Sequence, residues 1–581
     1  MMPRLRLLVL AAILPACTDR DPKGDPGETT GTLTSTDPTA TDTPPTSSDP
    51  STPTNSEPTT GGPPDSDTRA LAVNRAVDIL FVIDNSGSMA EEQARLAANA
   101  AAFFDVLDAP DVRADYRIGF TTTDAGNPRC AATTPENGGL TLKSCVDRVA
   151  EGEFMTFDGD VSSACTDFCN ISGLATTPTP IDQDESSAPR MWIERTGGAT
   201  NLAGDIDMLA AFQCLAPQGV TGCGFESHLE AMYRALAASN DKNSVTNYGF
   251  TRQQSLLSLV FVTDETDCSS NPQWKDIFVA NKVFWSSPDD PAPTSAVCWR
   301  AGVSCSGAGP TYEACSAENW DEAGSPGAPD ELAVLHPVGR YIDFVQNIEA
   351  QKQQFDANQQ VLVSLIAGVP IGYESYASEI QYADSPDADF QSSFGVGPGC
   401  IVGPIDAPES TAVPPVRERE FAEAFMVDPE QGRNLYSVCE DDYSAALADI
   451  ADAIRDQLPA ACFDACVADL SPGTPLLEPD CQVYQESLFD GTRVPVVECS
   501  EGVGPDGPAW VVPDGETVCS AELVDRDSLT PSSLDDMSQR CSDAGYNLEF
   551  LIVRAGATPP GVTMSAACEL SNDKPKDCPN L

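Results

Sequence analysis

The chain has 581 residues, with 89 Asp and Glu against 32 Lys and Arg, and a formal net charge of −57 at pH 7. That balance argues against nucleic acid and anionic membrane surfaces as partners and favours divalent cations and basic surfaces. Only two histidines occur, His228 and His336. They lie far apart, which weakens triads, zinc hydrolases and His-based acid–base chemistry. No phosphate-binding G-x-x-x-x-G-K-[ST] is present.

In chain order, residues 1–17 have the layout of an export signal: Arg4 and Arg6, the apolar run Leu7–Leu14, then Pro15-Ala16-Cys17. The run is too short to span a bilayer. Its end resembles the lipobox of bacterial lipoproteins, with Leu14 and Ala16 in place and Pro15 departing from the usual residue. The resemblance implies lipidation of Cys17 and attachment to the bacterial cell envelope, at the outer membrane or cell surface, with the lipid as the only membrane contact. A conventional secretory peptide and a short anchor are the alternatives. Residues 18–70 are Thr, Ser, Pro, Asp and Gly with almost nothing apolar, a composition that reads as a disordered tether. About 50 such residues reach ~40 Å.

Segment 71–459 alternates apolar runs with amphipathic stretches. Ile79–Ile83 is continuously apolar and ends at Asp84, as expected for a strand buried on both faces in a parallel sheet. Asp84, Ser86 and Ser88 form D-x-S-x-S at its carboxyl end, where open parallel sheets bind ligands. One carboxylate and two hydroxyls suit Mg²⁺ or Ca²⁺. Alternatively, Ser88 is a helix N-cap with Glu91 at N3, and Asn85-Ser86-Gly87 is a plain turn. A helix then runs to Leu107 with Leu96, Ala100, Phe103, Phe104 and Leu107 on one stripe. Tyr116–Thr123 is the next strand, at or near the sheet edge. An insertion at 124–189 follows, carrying Cys130, Cys145, Cys165 and Cys169. Leu256–Thr263 is a second buried strand, ending in Thr263-Asp264-Glu265.

Here the chain resembles the von Willebrand factor type A domain, through DNSGSM at the first strand and VFVTDE at the later one. The family's metal-ion-dependent adhesion site combines D-x-S-x-S, a Thr from a later loop and an Asp after the fourth strand. The resemblance implies Asp84, Ser86, Ser88 and Asp264 as metal-site residues. The Thr is expected from Gly219–Glu226, as Thr221, with Glu226 as a further candidate. Gly197-Gly198-Ala199-Thr200-Asn201, similar to the family's G-G-T-N, offers Thr200 instead. In the family the serines contact the ion directly, the acids and Thr directly or through water, and a partner's carboxylate fills the remaining position.

The remaining elements continue the alternation. A helix carries Leu229, Met232, Tyr233 and Leu236, and an insertion spans 268–332. Pro337 opens a helix with Val338, Tyr341, Ile342, Val345 and Ile348. A strand at Val361–Val369, an insertion at 370–416, a strand at Asn434–Cys439 and a helix ending at Pro459 complete the segment. Segment 460–581 holds eight cysteines, short alternating runs such as Tyr546–Arg554 and two Asp-Gly turns. It reads as a small β-rich domain stapled by disulfides. A zinc ribbon is disfavoured, because Cys462 and Cys466 have no second close pair. Setting Cys17 aside leaves 21 − 1 = 20 cysteines, an even number that suits a disulfide framework in an oxidising compartment.

The expected fold is α/β, a doubly wound, mainly parallel, Rossmann-like von Willebrand A sheet with long disulfide-containing insertions and a β-rich Cys-rich carboxyl-terminal domain. The expected function is adhesion or ligand binding to a protein or surface ligand offering a carboxylate, through Mg²⁺ or Ca²⁺. A secreted metal-dependent hydrolase and a structural envelope protein braced by its metal site are the alternatives.

Overall fold

A computed structural model describes residues 66–581 apart from 72–74, 110–111, 158, 183, 197, 355–357, 404–409, 459–460, 488–490, 505–506, 527, 556–561 and 580. The signal segment, Cys17 and the tether up to residue 65 lie outside the described residues. The apolar runs of the middle segment form one mixed sheet. Its strands are β1 (Ala76–Ile83), β2 (Asp115–Thr122), β3 (Ile193–Thr196), β4 (Ala199–Thr200), β5 (Leu256–Val262), β6 (Leu362–Ala367) and β7 (Leu435–Ser437). Their spatial order is β7-β6-β5-β1-β2-β3-β4. Neighbours from β7 to β2 pair in parallel, and β3 and β4 add antiparallel. The strand expected near the edge, β2, is covered by β3 only over Tyr116–Ile118. Beyond that, Phe120 offers its carbonyl to Thr141 of the first insertion.

Six helices flank this sheet: α1 (Ala90–Leu107), α2 (Met208–Leu215), α3 (His228–Ser239), α4 (Val338–Lys352), α5 (Val416–Glu423) and α6 (Ser444–Gln457). Successive β1 side chains point to opposite faces. Val77, Ile79, Phe81 and Ile83 pack with α1, α2 and α6. Leu80 and Val82 pack with α3, α4 and α5. Burial on both faces is why the strand is continuously apolar. Phe81 meets Phe212 of α2 at 5.1 Å between ring centroids and Phe103 of α1 at 5.9 Å.

Ten disulfides pair all 20 cysteines from Cys130 to Cys578. Cys145–Cys165 closes within the first insertion, but Cys130–Cys223 and Cys169–Cys214 tie that insertion to the chain around α2. Cys268–Cys298 and Cys305–Cys315 staple the second insertion, and Cys400–Cys439 ties the third to the end of β7. The eight carboxyl-terminal cysteines pair among themselves. Bridges closing loops this long contribute about 2–4 kcal/mol each by constraining the unfolded chain.

The carboxyl-terminal segment has its own apolar cluster around Phe463, Val483, Phe550 and Met564. Its largest sheet corrects the sequence reading. Residues 66–70, taken as the end of the tether, belong to a strand, Ser66–Leu71, paired antiparallel with Val562–Glu569. Leu71 is buried in the same cluster. The open edge of Val562–Glu569 supplies the backbone partners for this strand, and composition alone carries no trace of such an edge.

One acid in this segment sets a pH dependence. Burial pushes the Glu522 carboxyl up to about 7, with the charges of Glu498 and Asp480 adding to it. A raised folded-state value means that the folded protein holds a proton the unfolded chain has released between about pH 4.5 and 7. The stabilisation is present at pH 4 and is lost as pH rises through 7. Glu522→Gln is therefore expected to raise the unfolding free energy at pH 8 by about 2 kcal/mol after allowing for its partial exposure, and with it the melting midpoint, and to change little at pH 4. Melting curves of both proteins at the two pH values check this, and equal shifts at both would refute it.

Candidate functional site

Two of the sequence-predicted acids sit at the carboxyl ends of adjacent parallel strands. β1 and β5 pair with Ile83 opposite Val262, and the Asp84 N–H donates to the Val262 carbonyl at 3.0 Å. Asp84 is thus level with Thr263, and Asp264 lies one residue further on, across strands ~4.8 Å apart. The buried Asp84 carboxylate is held at both oxygens. Oδ1 accepts the Ser86 N–H at 2.8 Å, and Oδ2 accepts the Thr263 hydroxyl at 2.7 Å. Ser86 and Ser88 place their hydroxyls 3.2 Å apart. The N-cap alternative for Ser88 is not adopted: α1 starts at Ala90, with Met89 in the cap position and no side-chain capping bond.

The loop preceding α3 is drawn against this turn. The Gly222 N–H donates to the Asn85 carbonyl at 2.8 Å. A Cβ on Gly222 would come within 2.1 Å of Asn85 Oδ1, so a larger residue there would have to displace the Asn85 side chain. Gln93, fully buried on α1, spans the two segments. Its Nε2 donates to the Asp84 and Gly219 carbonyls at 2.8 and 2.9 Å, and its Oε1 accepts the Gln218 N–H at 3.0 Å. The Val220 N–H donates to Glu153 of the first insertion at 2.7 Å, and Cys130–Cys223 pins the far side. Thr221, between Val220 and Gly222, is exposed beside the D-x-S-x-S turn.

Thr200 is not brought to the site. It pairs with Arg195, which pairs with Tyr116, which pairs with Val77 near the start of β1. Asp84 is seven residues further along that strand, about 20 Å away at ~3.3 Å per residue. Local likeness to G-G-T-N does not encode which end of a sheet a segment reaches.

The electrostatics are those of crowded carboxylates. Asp264 is 4% exposed, and its Oδ1 has no hydrogen-bond partner among the described residues. Burial pushes its carboxyl well above the ordinary range, the charges of Asp84, Glu265 and Glu92 add to this, and the Ser88 hydroxyl opposes it. Glu226 accepts the Thr123 hydroxyl through Oε2 and leaves the buried Oε1 unpartnered. Burial, then Asp84 and Glu265, raise it strongly. Burial and Asp84 raise Glu265 to about 8, and burial raises Glu92 on α1, whose Oε2 is also unpartnered. Buried acceptor oxygens without donors are the chemistry that a hard divalent cation takes.

The sequence reading missed the floor of this site. His228, at the first turn of α3, is completely buried, with Nε2 2.7 Å from Thr263 Oγ1 and 3.8 Å from Asp84 Oδ2. Because Thr263 gives its single hydroxyl proton to Asp84, its oxygen must accept from His228, which places a proton on Nε2. Nδ1 lies 3.3 Å from Glu418 Oε1, close enough for attraction but without hydrogen-bond alignment. Burial alone would lower the imidazole, yet Asp84 and Glu418 outweigh it and hold it well above its ordinary value. Behind it, Arg417 Nε meets Asp267 Oδ2 at 3.0 Å. The one available signal was a histidine two residues after Glu226 at a helix start.

No known protein family and no curated protein matches the chain at the sequence level. Among solved structures, the pilus adhesin SpaC from Lactobacillus rhamnosus GG, in its open conformation, aligns with 8% identity and a TM-score of 0.27, over 85% of this chain and 38% of that one. The vWF domain of the type V pili tip protein Mfa5 from Porphyromonas gingivalis aligns with 10% identity and a TM-score of 0.25, over 67% of this chain and 97% of that one. Three amino-terminal domains of Mfa5 align with 8% identity and a TM-score of 0.23, over 86% and 62%. At these scores the likenesses assign neither fold nor function to this chain.

Proposed function

We infer that segment 71–459 is a doubly wound von Willebrand A-type domain that acts in adhesion at the cell envelope, holding Mg²⁺ or Ca²⁺ through Asp84, Ser86, Ser88, Thr221 and Asp264, with Glu226 beside them. The observation that carries this reading is the unpartnered, buried Asp264 Oδ1 next to Asp84 at neighbouring strand ends. The ion supplies an open coordination position for a partner's carboxylate. The chain's own residues do the rest. Thr263 and the Ser86 N–H orient Asp84, while Gln93 and Gly222 hold Thr221 against the turn. A hydrolytic role is disfavoured because His228 is committed to Thr263 and Glu418. A net charge of −57 makes the ion necessary, since an acidic partner is otherwise repelled.

The test uses beads bearing a poly-glutamate peptide. Retention of the protein is expected with Mg²⁺ or Ca²⁺ and is expected to disappear with chelator and in Asp84→Asn. Retention that ignores both changes would overturn the adhesion reading. Among the described residues no helix is long and apolar enough to cross a membrane. Envelope attachment rests on the proposed lipid at Cys17, motivated by the order Leu14-Pro15-Ala16-Cys17. Mass spectrometry should find a lipid-modified Cys17 as the mature amino terminus, and an unmodified terminus elsewhere would dismiss the anchor.

A further inference from the structure

The second and third insertions line an open cavity of about 560 Å³, remote in sequence from the D-x-S-x-S turn and within the size range of small-molecule sites. Its walls come from four segments: the loop around Phe284, the helix Ala296–Gly302, the hairpin Val303–Ser306 with Ala314–Ala317, and the stretch from Asp384 to Gly395. Cys305–Cys315 crosses the hairpin and Cys268–Cys298 ties down the helix, so these walls are braced in place. Phe284, Trp299, Tyr312 and Trp320 contribute aromatic rings to an otherwise mixed lining. Phe284 and Trp299 are almost fully buried, and Trp320 stands edge-on to Phe284 at 6.4 Å between centroids. The Trp320 N–H is spent on the Val303 carbonyl at 3.2 Å, which leaves apolar ring surface.

Two charged groups share the cavity. The Arg300 guanidinium makes one hydrogen bond among the described residues, from Nη1 to the Trp285 carbonyl at 2.6 Å, and no ion pair. Burial lowers it, and Asp290 is the one acid acting against that. In a chain with 89 acids, an arginine in a cavity wall with no carboxylate of its own is notable. Across the cavity lining, Asp384 accepts the Tyr312 hydroxyl on Oδ1 at 2.8 Å, and its Oδ2 has no hydrogen bond among the described residues. The ligand that matches this set has a flat C–H face for the rings, a carboxylate for the arginine and a hydroxyl for Asp384. An acyl chain would leave both charges unanswered. A nucleotide would bring several negative charges to one guanidinium in a strongly acidic protein.

We propose that this cavity binds a carboxylate-bearing sugar of the uronic- or sialic-acid class, with Arg300 on the carboxylate, Asp384 on a hydroxyl, and Trp320 against the ring. The cavity shares no lining residue with the proposed metal site, so its contacts to the sugar require no divalent ion.

Saturation-transfer NMR on the full chain, with methyl glucuronoside, methyl sialoside and neutral methyl glucoside as probes, tests it. One or both acidic glycosides should receive saturation and shift tryptophan emission, and which of them does so fixes the class. The glucoside should bind about tenfold more weakly, a step of one decade in the dissociation constant. Arg300→Gln should erase that preference, while chelator and Asp84→Asn should leave it intact. The idea is overturned if neither acidic glycoside binds at about 10 mM, beyond the weak end of useful affinities. It is equally overturned if glucoside and glucuronoside bind the wild-type protein alike, a comparison that needs no variant to fold. A folded Arg300→Gln that keeps the preference would remove arginine from the site and overturn it as well.

Discussion

Asp84→Asn combined with Asp264→Ala is expected to abolish Mg²⁺ and Ca²⁺ binding while leaving the protein folded. Strand pairing sets the two acids side by side, and Glu226, Glu265 and Glu92 add charge around them. Two carboxylates ~6 Å apart repel by roughly 3 kcal/mol at an effective dielectric constant near 20. Removing Asp264 relieves that repulsion, and the donor it holds, the hydroxyl of exposed Ser88, keeps the Ser86 hydroxyl 3.2 Å away as a partner. Asp84 requires more care. Alanine there would orphan the Ser86 N–H and the Thr263 hydroxyl, at about 1–3 kcal/mol each, and would confuse metal loss with a weakened fold. Asparagine keeps an acceptor oxygen for one of the two donors and removes the charge, and Glu418 still faces the His228 imidazole, so the cost is smaller than with alanine. In the wild type, an ion at about 100 times its dissociation constant should add ~2.7 kcal/mol of stability, and in the double variant nothing. Titration calorimetry, with melting curves in metal and in chelator, measures both quantities. Metal binding that survives in a folded double variant would show that these strand-end acids are not the site.

The parts that were legible in the sequence are those where one physical constraint acts on neighbouring residues. β1 and β5 are buried on both faces, so their composition announces them, and the acid after each run marks a strand end. The antiparallel edge was not legible. β3 reads Ile193-Glu194-Arg195-Thr196, and its charges are there because Glu194 forms a buried ion pair with Arg117 of β2 at 2.6 Å. Charge in a short strand hides the alternation that would betray it. Ser66–Leu71 was hidden for a related reason, since its partner strand lies at the other end of the chain. Within the site, backbone contacts put Thr221 beside the turn and carry Thr200 toward the other end of the sheet. The support for Thr221 is tertiary and consists of a buried glutamine and a glycine–asparagine contact.

His228 shows what pattern reading cannot reach, because its meaning lies in partners on β5 and α5. The imidazole is the one cation touching Asp84 among the described residues, and it also faces Glu418, whose carboxylate oxygens have no hydrogen-bond donor there. Removing one member of a buried charged pair leaves the other uncompensated, at about 3–5 kcal/mol, whereas replacing both with apolar groups of similar volume is close to neutral. His228→Leu alone should therefore lower stability by roughly 3–5 kcal/mol, and Glu418→Met alone should also destabilise. The double variant should recover a large part of the summed loss, giving a coupling of at least ~2 kcal/mol. The recovery should remain incomplete, because Thr263 still loses the donor from Nε2 and Asp84 keeps a buried charge without its cation. Denaturant titration of the four proteins in chelator yields the coupling directly. If the two single losses simply add, the His228–Glu418 contact holds no charge pair, and the floor of the site is held by packing alone.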